Sequence, residues 1–127
     1  MILLKFWTLP IEIVNEAAGQ HANSHWRIKN ARHKKQKGLI HLFLKNELSI
    51  YANKPITVKI VRISPRMMDI EDNLPYACKW VKDSIADILV PGLRPGIADG
   101  SKLITWEFGQ EKGKPKEKAV RIEVYTE

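Results

Sequence analysis

Along "KPITVKIVRIS", residues 54–64, Ile56, Val58 and Ile60 are set against Thr57, Lys59 and Val61. That period of two predicts a strand, which Pro65 closes. Further on, Leu74, Cys78, Val81, Ile85 and Ile88 recur every three or four positions. This spacing predicts a helix over 72–89, with Pro75 in the first turn, where a missing N–H is tolerated. Residues 2–9 predict a first strand ended by Pro10, and "KLITWEF" and "AVRIEVY" predict two more. The "GQEKGKPKEK" between those two is expected to be a long basic hairpin loop. "PIEIVNEAAGQHAN", residues 10–23, has no firm period and reads as a loop.

Ser24 offers a cap for a helix running to about Leu48, interrupted at some cost by Gly38. Leu39, Ile40, Leu42, Phe43 and Leu44 are expected to pack that helix on a sheet. "VPGLRPGIADG", residues 90–100, reads as a Pro/Gly loop. The order is strand, helix, strand, helix, strand, strand. It predicts one small α/β (α+β) domain over 1–127, with a mixed sheet of about four strands and two main helices.

Composition narrows the class. The 127 residues, 44% of them apolar, suffice for one core. No apolar run reaches the roughly 18–20 residues of a membrane span. "MILLKFWTLP" is short and holds Lys5, so it is read as a strand and not as a signal peptide. The single Cys78 excludes an internal disulfide and fits a reducing cytoplasm. One cysteine and four scattered histidines are too few for a structural zinc site.

Charge changes the picture more. The net charge is +7, which attracts polyanions. No acid occurs from Ala17 to Asn46, where "HWRIKNARHKKQK" gathers Arg27, Lys29, Arg32, Lys34, Lys35 and Lys37. Such a run is either a solvated helix face or a phosphate-binding surface. Its acid-free length and the interleaved Trp26 favour the second. All five aspartates fall between Asp69 and Asp99.

In "DIEDN", Asp69 and Glu71 are two apart and Asp72 follows. Asp72 or Asn73 can simply cap the helix. Three carboxylates this close repel one another unless a cation lies between them, and their hard oxygens suit Mg²⁺. On that helix Asp72, Tyr76, Lys79 and Asp83 share one face, opposite Leu74, Cys78, Val81 and Ile85. Lys79 then points towards the acids, or merely pairs with Asp83. Asp99, a turn residue by its local sequence, can return to the same place. Together these residues suggest metal-assisted phosphodiester hydrolysis beside a basic helix that holds nucleic acid. The alternative is a non-catalytic basic DNA-binding domain, in which the acids cap and pair.

"EDNLPYACKWVKDSIADIL", then "ADG" and "WEFGQEKG", resembles the RusA family of Holliday junction resolvases, in particular its shorter phage and prophage-type members. The resemblance covers about residues 54–126. Asp72-Asn73-Leu74 matches the family's Asp-Asn-Leu element, Lys79 and Asp83 its Lys-x-x-x-Asp pair, and Asp99 its loop acid. The family places its first Asp two residues before the Asp of Asp-Asn, where this chain has Ile70. Asp69 takes that role, with Glu71 as the alternative. The resemblance implies Mg²⁺ held by Asp69, Asp72 and Asp99, catalysis by these acids and Lys79, and support from Asn73 and Asp83. It also implies a homodimer that nicks opposed strands of a four-way DNA junction symmetrically.

Overall fold

The computed structural model describes residues 1–14, 26–68, 73–92 and 102–126. They form β1 (Leu3–Leu9), α1 (Trp26–Ser49), β2 (Ile56–Ser64), α2 (Leu74–Ala77), α3 (Lys79–Leu89), β3 (Ile104–Lys112) and β4 (Ala119–Thr126). One four-stranded mixed sheet has the order β1-β4-β2-β3. The small α+β fold expected from the sequence is therefore observed, with three helices where two were expected.

β4 is antiparallel to both β1 and β2, and β2 is parallel to β3. Three strands thus point one way, and β4 fills the gap between β1 and β2 in the opposite direction. The expected hairpin between the last two strands does not form. β3 and β4 lie on opposite sides of β2, and the chain linking them crosses its carboxyl end, where the Gly113 N–H donates to the Ser64 carbonyl at 2.9 Å. β2 is buried along nearly its whole length. Its apolar content serves a central strand paired on both edges.

The core lies between one face of the sheet and the helices. Val58, Ile60, Val120, Ile122 and Val124 meet Ile40, Leu44 and Leu48 of α1 and Val81, Ile85 and Leu89 of α3. Full burial of such a side chain contributes about 1.5–3 kcal/mol relative to exposure. Ile11 and Ile13, on the segment expected to be a plain loop, also join this core. Arg62 reaches that segment and donates through Nε to the Ile13 carbonyl at 2.8 Å.

α1 buries a narrow stripe, Gln36, Ile40, Leu44 and Leu48. The expected packing of Leu42 and Phe43 is not observed: Leu42 is 75% exposed, and Phe43 is exposed too. Consecutive residues turn 100° apart on a helix, so a run of apolar positions cannot all face one sheet. α1 continues unbroken through Gly38, where an added Cβ would meet nothing within 4 Å. Gly38→Ala is therefore expected to stabilise the fold by about 0.5–1 kcal/mol, read as a higher urea midpoint. A lower midpoint would mean that the position resists a side chain.

On the other face of the sheet Arg121 bridges two acids. It donates to both carboxylate oxygens of Glu111, Nη1 to Oε2 at 3.0 Å, and through Nε to Glu123 at 2.7 Å; the Tyr125 hydroxyl also donates to Glu123. The Arg121 hydrogen bonds hold Glu111 below the usual carboxylate range. Burial raises Glu123, but the bonds from Tyr125 and Arg121 outweigh it, and the net shift is also downward. Depressed folded-state values stabilise above the unfolded range and stop doing so as the pH falls through them. The thermal midpoint should hold at neutral pH and fall below about pH 4, more gently in Arg121→Met. Equal acid sensitivity in both proteins would detach the effect from this network.

Candidate nucleic-acid interface

The topology brings the basic helix and the Lys79 helix to one end of the sheet. β1 and β2 point the same way, and the chain runs back along each through a helix. At the far end Lys5 pairs with Glu47 at 2.7 Å, and the Asn53 N–H donates to the Leu89 carbonyl at 2.9 Å. At the carboxyl end Gln36 Nε2 donates to the Glu12 carbonyl at 2.9 Å. The first halves of α1 and α3 therefore sit together beyond the carboxyl ends of β1 and β2, the usual place for a ligand in such sheets.

They meet through aromatic rings. His33 of α1 stacks on Trp80 of α3 with centroids 3.6 Å apart and planes 11° from parallel. Tyr76 meets the Trp80 ring edge-on at 5.7 Å, and Lys79 Nζ lies 5.9 Å from its centroid. Trp26 carries Arg27 at 5.4 Å from its ring centre. The sequence singled out Trp26. It gave no sign of His33 and Trp80 as partners, because their contact joins two helices distant in sequence.

The six basic residues expected to bind phosphate do not form one surface. Arg27, Lys34 and Lys37 line a cavity on the side towards Trp80. Arg32 and Lys35 line a second one, against Pro10, Glu12 and Lys118. Lys29 belongs to neither.

The expected helix over 72–89 is broken at Cys78 into α2 and α3. Asn73 occupies the N-cap position of α2, but its side chain makes no cap hydrogen bond. Cys78 is buried, and burial pushes its thiol up to about 12, which leaves it a packing residue. Lys79 and Asp83 do pair, Nζ to Oδ2 at 2.9 Å. The face expected to lie opposite the apolar stripe is not evenly exposed: Asp83 is 5% exposed while Lys79 is half exposed. α3 is covered by the sheet on one side and by α1 on another, so its polar flank is not all solvent. Asp83 Oδ1 is buried without a hydrogen-bond partner among the described residues. An i,i+4 pair contributes only about 0.3–0.5 kcal/mol, but removing Lys79 would strand a buried carboxylate at a cost of about 1–3 kcal/mol.

Asp69, Glu71, Asp72 and Asp99 lie outside the described residues. The chain leading to the first three is pinned by side chains that the sequence did not single out. Arg62 Nη1 donates to the Arg66 carbonyl at 2.6 Å. Gln110, from the "WEFGQ" strand, accepts from the Met68 N–H at 3.0 Å and donates to the Met68 carbonyl at 2.5 Å. This two-point clamp fixes Met68 as a strand neighbour would. Burial pulls the Arg62 guanidinium down from its ordinary value. No described helix is long and apolar enough to cross a membrane. The chain matches no protein-family model and no curated protein.

Proposed function

We propose that this protein is a Mg²⁺-dependent, structure-specific endodeoxyribonuclease of the RusA type, which resolves four-way DNA junctions by paired symmetric nicks in recombination and repair. The observation that carries the reading is the His33–Trp80 stack, which seats a basic, aromatic helix against the helix bearing Lys79 and Asp83. DNA held along α1 then runs beside Lys79.

Asp69, Asp72 and Asp99 are assigned to the metal, with Glu71 as the alternative to Asp69. The donor set is carboxylate oxygen throughout, which fits Mg²⁺, and the buried, unpartnered Asp83 Oδ1 adds another hard oxygen beside Lys79. When bound, the cation supplies an activated water and stabilises charge on the phosphate. Lys79 places a positive charge near that phosphate, and Asp83 holds the ammonium in position. Arg27, Lys34 and Lys37 bind the DNA backbone. A homodimer with two-fold symmetry suits two symmetric nicks, and a bacterial or phage-infected cytoplasm is the assigned setting.

The Lys79–Asp83 pair also favours a second reading, a non-catalytic DNA-binding domain, since an intrahelical pair needs no further role. A nicking assay separates the two. A synthetic four-way junction and a linear duplex of equal length are incubated with and without Mg²⁺. Paired nicks in the junction alone, dependent on Mg²⁺, are expected. Tight binding without cuts would establish the second reading, and indifference to the junction would remove the first.

A further inference from the structure

We infer that the cavity between α1 and α3 is a pocket for one unpaired nucleobase and its flanking phosphate, an inference that rests on the nucleic-acid reading above. Trp26, Asn30, His33 and Lys37 recur at helical spacing and form one stripe of α1 towards Trp80. The cavity they line measures about 470 Å³, within the usual range of small-ligand sites. Trp26 is 61% exposed, so part of its ring surface is open to a ligand. The stacked His33–Trp80 pair adds further aromatic surface to the lining, its rings held against each other. The Asn30 amide offers both a donor and an acceptor to a base edge. Arg27, Lys34 and Lys37 add positive charge at the same cavity, and no acid is among its described lining residues.

This combination of π surface, amide and cations matches a nucleotide better than any of its parts does. A base inside a duplex has both faces covered by its neighbours, so only an unpaired one can lie on an aromatic ring. Paired DNA would meet the cations of this surface and leave the rings unused. The pocket therefore supplies a preference for places where pairing is interrupted, in addition to the general attraction of a basic helix.

The test compares three DNA probes: a duplex with one unpaired thymine, the same duplex with an abasic site in place of that thymine, and the fully paired duplex. Wild-type protein should bind the unpaired thymine about tenfold more tightly than the abasic probe, the size of one base–aromatic stack. Trp26→Ala should bind the thymine and abasic probes alike, while Trp26→Phe should keep the preference for thymine. A wild type that treats thymine and abasic site alike, or a Trp26→Ala variant that still distinguishes them, overturns the pocket. If wild type nicks junctions yet shows no base preference, the pocket alone falls. If it binds none of the probes nor the junction, the functional reading falls with it.

Discussion

Asp72→Asn is expected to abolish Mg²⁺-dependent nicking of a four-way junction while leaving junction binding intact. The substitution suits the question because the sequence offered Asp72 as a helix cap, a position that the structure gives to Asn73, and Asn caps as well as Asp. A capping role would survive the change. A ligand role would not, because the amide lacks the negative charge that a hard dication requires. Loss of a group that only supports a metal ligand already costs about 10–100-fold, so loss of a ligand should exceed the upper end of that range. Full cleavage by the variant would remove Asp72 from the metal site. Lys79 is a poorer position for this test, since its removal also leaves the buried Asp83 unpaired.

The separate elements were legible in the sequence because each rests on a local period. "ITVKIVRIS" alternates, and Val81, Ile85 and Ile88 keep helical spacing, so both elements appear within a few residues of their expected ends. The strand order was not legible. A Gly- and Lys-rich linker between two alternating segments fits a hairpin as well as it fits a crossing over β2, and only the need to cover both edges of β2 decides between them. The same limit applies at the site. Lys79 was correctly expected to be exposed, because it lies outside the apolar stripe of its helix. Asp83 was misplaced because its burial depends on the sheet and α1 enclosing α3, which no local pattern contains. The Gln110 clamp on Met68 and the His33–Trp80 stack are likewise contacts between elements. The acids Asp69, Glu71, Asp72 and Asp99 therefore still rest on their motif, and the described structure adds the anchored chain at Met68 that precedes the first three of them.

Reversing charge at Lys34 and Lys37 together is expected to weaken junction binding by at least about a hundredfold, since a hydrogen bond to a charged group contributes about 1.5–3 kcal/mol and two are lost. The dependence of log affinity on log salt should become shallower by about 2, as each lost phosphate contact returns about one counterion to the DNA. The fold should tolerate the change. Lys34 is exposed and Lys37 half-buried on a continuous helix, and Glu is as good a helix former as Lys. The same reversal at Arg32 and Lys35 should cost less, because those side chains line the cavity against Pro10, Glu12 and Lys118 and not the one that meets Trp80. Sequence alone treats all four positions as equal, so the contrast between the two pairs is a prediction of the structure. Equal losses would mean that DNA responds to the summed field of α1 and that its Trp80 side has no special part. No loss at either pair would move the interface to the carboxyl-end crossing over β2, where Lys114, Lys116 and Lys118 supply the next concentration of positive charge.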